Sequence, residues 1–204
     1  MSAHSILGVI LAGGASRRFG AEKSAAMLGG KPLLAWVAEC ATPQVDALLL
    51  NTNSPEIGQG ILNLGRLPDG APGEGPIAGI LAALAEAERR GFTHVASFAC
   101  DTPFFPSDTV ARLAAALDNS GDYAVACCNG AVHRIFALWP AACHARIEEA
   151  FASGTRSMGD IEQWLSPVLA DLTDQGRWGG NPFFNINTPE DLATAERWLA
   201  GRAF

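Results

Sequence analysis

Glycine and basic residues follow directly after the first apolar run of the chain. Residues 11–23 read LAGGASRRFGAEK and contain Gly13, Arg17, Arg18 and Lys23. The backbone N–H groups of a glycine turn can approach phosphate oxygens, and nearby cations neutralise the charge that a triphosphate carries. The spacing matches neither the P-loop nor the dinucleotide-binding motif. The segment indicates a local site for a phosphorylated ligand, with a plain glycine turn beside solvated basic residues as the alternative.

Two carboxylates stand where they could face the same ligand. Asp101 follows the apolar run VASFAC, and Asp69 lies in the glycine- and proline-rich stretch LPDGAPGEGP. A carboxylate at the end of a buried strand is held at the ligand-facing edge of a sheet, and Mg²⁺ binds oxygen ligands that it shares with substrate phosphates. Asp101 is therefore a candidate metal ligand, and the loop of Asp69 could close over a nucleotide base. Taken alone, each carboxylate is better explained as the cap of a turn.

Short apolar runs alternate with amphipathic stretches along the chain, which is the pattern of parallel βαβ units. The predicted strands are 6–11, 45–51, 95–100, 123–128, 134–138, 168–172 and the segment NPFFNIN at 181–187. The predicted helices are 32–40, 76–90, one capped by Ser107 that ends at 117, 141–151, 157–165, and a last one that Thr188, Pro189 and Asp191 open. We predict a three-layer α/β sandwich that binds ligands at the carboxyl ends of its strands.

Composition excludes several classes of protein. The formal net charge of −7 over 204 residues argues against a surface that coats nucleic acid, because such surfaces need many Lys and Arg contacts to phosphate. The five cysteines form no C-x-x-C pair, which favours reduced thiols in a cytoplasm over a disulfide framework. The first residues lack a signal-peptide pattern, and no stretch approaches about 20 apolar residues. We therefore expect one domain over residues 1–204, in the cytoplasm and without a membrane segment.

Four stretches, in order, resemble the molybdenum cofactor guanylyltransferase family, and the resemblance covers almost the whole chain. LAGGASRRFGAEK is similar to that family's L-A-G-G-x-S-x-R-M-G-x-D-K, and GPIAGILAAL to its G-P-L-A-G helix start. CDTPFFP is similar to its metal-binding segment, and FFNINTPEDL to its closing motif. His133 and Arg134 stand where the family has a His-Pro pair, and we interpret His133 as structural. The first motif is shared in looser form with many nucleotidyltransferases.

The resemblance implies a Rossmann-like fold of the nucleotide-diphospho-sugar transferase type, with a mostly parallel central sheet. The family transfers GMP from GTP to the phosphate of molybdenum-bound molybdopterin and releases pyrophosphate with Mg²⁺. The GTP-binding residues that it implies are Leu11, Ala12, Gly13, Lys23, Asn51, Asp69 and Asp101. The implied catalytic residues are Lys23, Arg17 and the metal ligand Asp101, and the implied molybdopterin-binding residues are Asn185, Asn187 and Arg156. GTP and molybdopterin are the expected partners, along with transient protein partners in cofactor delivery.

The implied reaction agrees with the absence of any sequence pattern that pairs a nucleophile with a base. The acceptor phosphate is already an anion, so its attack on an α-phosphate needs only alignment and neutralisation of charge. Asn185 and Asn187 flank Ile186 on a predicted strand, so both amides should point to one face. The alternatives are a cytidylyltransferase for the same cofactor, another nucleotidyltransferase, and a non-catalytic nucleotide-binding protein, which would not need Asp101, Lys23 and the asparagines together.

Overall fold

The computed structural model describes residues 4–12, 26–60, 63–71, 73–118, 121–173 and 181–201. Its strands are β1 (Ile6–Leu11), β2 (Met27–Leu28), β3 (Lys31–Pro32), β4 (Ala47–Asn51), β5 (Gly65–Leu67), β6 (His94–Ala99), β7 (Tyr123–Cys128), β8 (Ala131–Pro140) and β9 (Pro167–Asp171). Its α-helices are α1 (Leu33–Ala41), α2 (Pro76–Arg90), α3 (Thr109–Leu117), α4 (His144–Ala152) and α5 (Pro189–Ala200). Within these residues, no helix combines the length and the apolar character that crossing a membrane requires.

Seven of the described strands form one sheet in the order β5-β4-β1-β6-β8-β7-β9. The strands β5, β4, β1 and β6 run parallel to one another, as do β7 and β9. β8 is antiparallel to both neighbours, and it follows β7 through a two-residue turn of Asn129 and Gly130, which have φ values of 50° and 79°. The predicted mostly parallel sheet is confirmed.

Helices cover both faces of this sheet and complete the three layers. α1 and α3 lie on one face, whereas α2 and α4 lie on the other. β1 is buried on both sides because its side chains alternate: Ile10 packs with the α1 and α3 face and Val9 with the opposite face. A smaller apolar cluster that includes Leu28, Phe104 and Ile186 packs with α5. This cluster attaches the C-terminal part of the chain to the loop after β6.

Proline, glycine and capping residues set helix boundaries where the sequence predicted them. Pro76 is the first residue of α2, and Gly91 ends that helix with a φ of 78°. At the start of α5, Thr188 Oγ1 accepts from the N–H of Asp191, and the Asp191 carboxylate accepts from the N–H of Thr188. This reciprocal pair is a capping box.

The start of α3 differs from the prediction, because Ser107 does not cap it. The helix begins at Thr109, with Asp108 in the cap position and no side-chain capping bond. Instead, the N–H of Val110 donates to Gln44 Oε1 (3.0 Å), which belongs to the segment after α1. A side chain distant in sequence therefore satisfies a helix-start donor that a local cap was expected to satisfy.

The predicted helix over 157–165 is wrong, because only a 3₁₀ turn over Asp160–Gln163 forms there. The apolar residues whose spacing suggested a helix complete only a single turn, because the chain enters β9 directly afterwards. The N–H of Ser166 donates to Asp122 Oδ2 (2.7 Å), which fixes the chain at the entry to the sheet.

The segment 181–187 is not a strand in the structure either. It lies beyond the carboxyl ends of the parallel strands, where the N–H of Ile186 donates to the C=O of Asp101 (3.0 Å). The predicted alternation of side chains nevertheless holds, since Ile186 is 0% exposed and both Asn185 and Asn187 are exposed. The segment begins with a turn, in which the N–H of Phe184 donates to the C=O of Asn181 (3.2 Å), so the alternation is limited to residues 185–187.

Candidate active site

The carboxyl ends of β5, β4, β1 and β6 lie side by side along one edge of the sheet. Leu11 pairs with Asn51 on one side and with Ala99 on the other, and Asn51 pairs in turn with Leu67. The segments that directly follow these strands carry the predicted residues Ala12, Asp69 and Asp101, and also Asn53, which was not predicted. The fold thus brings predicted site residues that are far apart in sequence to the edge where sheets of this kind bind ligands. Because the sequence predicts a nucleotide site here, we call this row of strand ends the nucleotide edge.

Asn51 ties neighbouring segments of the nucleotide edge together. Its side chain is buried, with Nδ2 donating to the C=O of Leu67 (3.0 Å), and its own C=O accepts from the N–H of Ala12 (3.0 Å). Gly79 of α2 faces this amide so closely that a Cβ at position 79 would lie 2.9 Å from Asn51 Cγ. The second glycine of the GPIAG motif, Gly79, is therefore required for a steric reason, because a side chain there would collide with a buried amide.

Asp69 is held by a neighbour that sequence reasoning missed. Asn53 Nδ2 donates to Asp69 Oδ1 (2.6 Å), and the N–H of Asp69 donates back to Asn53 Oδ1 (3.2 Å). The N–H of Ala71 also donates to Asp69 Oδ1 (3.1 Å). Within the described part of the chain, the hydrogen bonds to this carboxylate all go to Oδ1. Oδ2 of the half-buried carboxylate is therefore the oxygen that can accept from a ligand.

Asp101 lies where the loop after β6 meets the C-terminal segment. The hydroxyl of Thr102 is 3.1 Å from Asp101 Oδ1 and also contacts the side-chain amide of Asn185. The backbone bond from Ile186 to Asp101 lies beside this contact. Thr102 is 0% exposed although its side chain is polar. The predicted metal ligand and a predicted acceptor-binding asparagine are therefore neighbours, joined through a buried hydroxyl that sequence reasoning did not single out.

The oxygen donors at this edge fit a hard divalent cation that is shared with a substrate. Asp101 offers a half-buried carboxylate, and Mg²⁺ commonly takes one or two protein carboxylates and completes its shell with phosphate oxygens and water. The residues that the structure describes contain no group of three or more His, Cys, Asp and Glu side chains that could hold a metal by themselves. If Asp101 binds Mg²⁺, the ion needs further oxygen ligands, which substrate phosphates and water can supply.

Comparison with known proteins identifies the family. The family model of the MobA-like NTP transferase domain matches residues 8–168. The chain belongs to this family. The molybdenum cofactor guanylyltransferase of Rhizobium leguminosarum bv. trifolii is 39% identical over 206 residues, which cover 95% of this chain and 93% of that protein. The molybdenum cofactor guanylyltransferase of Rhodobacter capsulatus is 43% identical over 200 residues, with 97% and 98% covered.

A solved structure extends the similarity to the fold. The crystal structure of molybdopterin-guanine dinucleotide biosynthesis protein A from Archaeoglobus fulgidus superposes with a TM-score of 0.77 at 27% identity, covering 96% of this chain and 99% of that chain. The predicted fold class and the predicted enzyme class, a nucleotidyltransferase, are confirmed. The MobA-like domain match includes the whole nucleotide edge, and the segment 181–187 lies after it.

Some predicted residues of the MobA-like site are not placed at the nucleotide edge by the structure. Gly13, Arg17 and Lys23 lie outside the described residues, so their roles stay predictions. Asn187 is exposed, and its N–H donates to Asp191 Oδ2 (2.9 Å) at the start of α5. Its role toward the acceptor also stays a prediction.

Arg156 connects the loop that leads into α2 with the end of α4. Its guanidinium pairs with Glu74, lies 3.9 Å over the ring of Phe151 and donates to the C=O of Phe151 (2.6 Å). Its own C=O is so near Gly75 that a Cβ there would lie 3.0 Å away. The side-chain bonds of Arg156 in the described residues join it to this loop and to the end of α4, and none reaches Asn185.

His133 packs the C-terminal segment onto β8. Its ring stacks on Phe183 with centroids 4.4 Å apart and planes inclined by 22°. Burial lowers the pKa of His133, so the ring is neutral at neutral pH and stacks as an uncharged aromatic group. This geometry agrees with the structural interpretation of His133.

Proposed function

We propose that this chain transfers GMP from GTP to the phosphate of molybdenum-bound molybdopterin and releases pyrophosphate. The observation that carries the proposal is the junction at Asp101, where the nucleotide edge meets the segment that bears Asn185. A group transfer between two bound molecules needs both of them aligned at one reacting point. The guanylyltransferase names of relatives that match along almost their whole length support the choice of both substrates.

On the nucleotide side, we propose that Asp69 reads guanine through Oδ2. Guanine presents N1–H and its 2-amino group as neighbouring donors, and a carboxylate oxygen accepts from such a pair. The backbone of Leu11, Ala12 and Gly13 and the buried Asn51 would form the rest of the pocket. Cytosine and adenine do not offer the same donors, and a buried polar group without its partner costs about 1–3 kcal/mol. Two mismatches correspond to roughly a hundredfold or greater preference for GTP.

On the phosphates, we propose that Arg17 and Lys23 neutralise the triphosphate and that Asp101 is the protein ligand of Mg²⁺. When bound, Mg²⁺ supplies additional neutralisation of the phosphate charge. The acceptor phosphate is itself the nucleophile, so no side chain has to remove a proton from it. The protein residues then act by aligning the two phosphates and by stabilising the negative charge of the departing pyrophosphate.

On the acceptor side, we propose that Asn185 and Asn187 bind molybdopterin. Both asparagines are exposed, and the buried Ile186 between them anchors the segment in the apolar cluster under α5. Arg156 is a further candidate, and it would have to exchange its pairing with Glu74 for the acceptor. In this proposal, one domain over residues 1–204 carries both sites and works in the cytoplasm, with transient partners for cofactor delivery.

Incubation of the purified chain with GTP, Mg²⁺ and molybdenum-loaded molybdopterin tests the proposal. We expect pyrophosphate release that requires all three components, together with a product whose mass equals molybdopterin plus GMP. Asp101→Asn is the matched control, because it keeps the shape of the side chain and removes its charge. Tight binding of GTP without product in the presence of the acceptor would contradict the proposal and indicate a nucleotide-binding protein.

A further inference from the structure

Asn53 and Asp69 form a reciprocal pair of hydrogen bonds where two neighbouring strands end at the nucleotide edge. Asn53 lies two residues after β4, and Asp69 lies two residues after β5. Asn53 Nδ2 donates to Asp69 Oδ1 (2.6 Å), while the N–H of Asp69 donates to Asn53 Oδ1 (3.2 Å). A backbone N–H can only donate and an ionised carboxylate can only accept, so both partners require the same orientation of the Asn53 amide.

The loop that carries Asn53 is held by the neighbouring strand. The guanidinium of Arg66, on β5, donates to the C=O of Ser54 (2.8 Å) and to the C=O of Ile57 (2.6 Å). On the other side of Asn53, the hydroxyl of Thr52 accepts from the N–H of Ser54 (3.1 Å). The Asn53 amide is therefore in place before a ligand binds, which reduces the entropy that binding has to offset.

These bonds leave one donor and one acceptor of the pair available. A side-chain amide has two N–H bonds, and one of those of Asn53 is without a partner among the residues that the structure describes. Asp69 Oδ1 accepts from Asn53 and from the N–H of Ala71 (3.1 Å), whereas Oδ2 accepts from none of the described groups. Asn53 is exposed and Asp69 is half-buried, so a ligand can reach both the N–H and the oxygen.

We propose that Asn53 is a second guanine-reading residue, which donates its available N–H to O6 of the base. This inference rests on the proposed function and names the protein group that reads position 6 of the purine. Guanine presents O6, an acceptor, beside N1–H and the 2-amino group, which are donors. With Asp69 Oδ2 accepting from these donors, O6 lies on the other side of N1 and needs a donor of its own. Asn53 Nδ2 is bonded to the second oxygen of the same carboxylate, so it offers that donor beside Oδ2.

The same pair of side chains disfavours the other bases. Adenine has an amino group at position 6 and cytosine has one at position 4, so each base presents a donor to the N–H of Asn53. The adjacent ring nitrogens, N1 of adenine and N3 of cytosine, are acceptors, and they would face a carboxylate oxygen of Asp69. A site built to hydrogen-bond a polar group discriminates against a base that leaves that site unpaired.

Equilibrium binding of nucleotide analogues tests the contact without any acceptor. Dissociation constants for GTP, 6-thio-GTP and ITP are measured by calorimetry at pH 7 with Mg²⁺. In 6-thio-GTP only O6 is replaced, by sulfur, which is a weaker acceptor, and ITP lacks only the 2-amino group. We expect the wild-type chain to bind 6-thio-GTP roughly three- to tenfold more weakly than GTP. In Asn53→Ala, this preference should fall to within about twofold, because the donor to O6 is gone.

Two matched variants separate direct reading of O6 from orientation of Asp69. Asp69→Asn keeps an oxygen for Asn53 and replaces Oδ2 by an NH₂ group, so it should lose the preference for GTP over ITP and keep the preference for GTP over 6-thio-GTP. Asn63→Ala is the control for the loss of an exposed asparagine, because Asn63 precedes β5 and Asp69 follows that strand. Both preferences should match the wild type in this control.

Two results would overturn the direct contact. One is equal binding of GTP and 6-thio-GTP by the wild-type chain. The other is an unchanged preference for GTP over 6-thio-GTP in Asn53→Ala together with a reduced preference for GTP over ITP, since Asn53 would then act only by orienting Asp69. If the wild-type chain shows the expected preferences but forms no dinucleotide with molybdenum-loaded molybdopterin, the proposed transfer fails and the reading of guanine by Asn53 stands.

Discussion

Gly79→Ala is the substitution whose outcome depends most clearly on the packing of the nucleotide edge. In an ordinary helix interior, replacing glycine by alanine stabilises by about 1 kcal/mol. At position 79, however, the added Cβ would lie 2.9 Å from Asn51 Cγ and 2.9 Å from Leu11 Cδ2, and it would come closer still to Asn51 Oδ1. The leucine methyl can rotate away, but the buried amide has no space in which to move without losing its bond to Leu67.

The free-energy change follows from these contacts. Overpacking of a buried site costs about 1–3 kcal/mol, and an Asn51 amide displaced from the Leu67 carbonyl costs about 1–3 kcal/mol more. After the gain in helix propensity of about 1 kcal/mol, the net loss of stability is about 3 kcal/mol. For a chain of this size, each kcal/mol lowers Tm by roughly 2–4 °C. We therefore expect a decrease of roughly 6–12 °C.

Thermal unfolding of Gly79→Ala, Asn51→Ala and the double variant measures this effect. If the collision with Asn51 is the cause, Gly79→Ala should be nearly neutral once Asn51 has become alanine. A Tm for Gly79→Ala that equals or exceeds that of the wild type would refute the reasoning. Additive losses in the double variant would assign the cost to Leu11 or to the helix itself.

Three further predictions follow from the site and from the thiols of Cys40, which is partly buried, and Cys143, which is buried. Asp101→Asn should lower turnover by roughly 10² or more while the fold survives, and near-normal pyrophosphate release at limiting Mg²⁺ would contradict the metal role. Asn53→Ala should reduce the preference for GTP over ATP by roughly tenfold because Asp69 loses a donor that orients it; an unchanged ratio in competition assays would exclude that role. Burial raises the pKa of Cys40 and of Cys143 to about 11, so iodoacetamide should label both slowly in the native chain at pH 8. In the unfolded chain these thiols ionise near pH 9, so both residues should also lower the free energy of unfolding as pH rises from about 9 to 11. Rapid labelling of the native chain would contradict the raised pKa values.

The fold could be predicted wherever local sequence determines local structure. Apolar runs identified β1, β4, β6 and β7, and proline, glycine and a capping box set the boundaries of α2 and α5. The turn of Asn129 and Gly130 carries a strong hairpin signal, yet the antiparallel pairing of β7 with β8 was not predicted from it. The three-residue β5 is too short to show a periodicity, and the β2 and β3 pair is shorter still.

The errors in the predicted helices have a common physical cause. At α3, Gln44 from another segment satisfies the N–H of Val110, so the local cap that Ser107 suggested is not needed. After α4, the bond from Ser166 to Asp122 takes the chain into β9 after one turn. Both hydrogen bonds join residues that are far apart in sequence. A prediction from neighbouring residues alone therefore cannot include the side chain that accepts the bond.

The sequence named candidate residues that the fold gathers at one edge, but it could not predict the contacts between them. The resemblance named Asn51, Asp69, Asp101 and Asn185, and the parallel strand ends placed the first three at one edge. The contact of Thr102 with Asn185 joins residues 83 positions apart, and sequence reasoning about either segment alone could not predict it. The steric reason for Gly79 is likewise visible only when α2 lies against β4.

Mass spectrometry of the product from a competition reaction tests the central claim most directly. The chain is incubated with Mg²⁺, molybdenum-loaded molybdopterin and equal concentrations of GTP, CTP and ATP, and the dinucleotide products are separated and quantified. The account predicts the guanine dinucleotide in roughly hundredfold or greater excess over the others, because the wrong base leaves polar groups of the pocket unmatched. A predominance of the cytosine dinucleotide, or nucleotide hydrolysis without any dinucleotide, would contradict it.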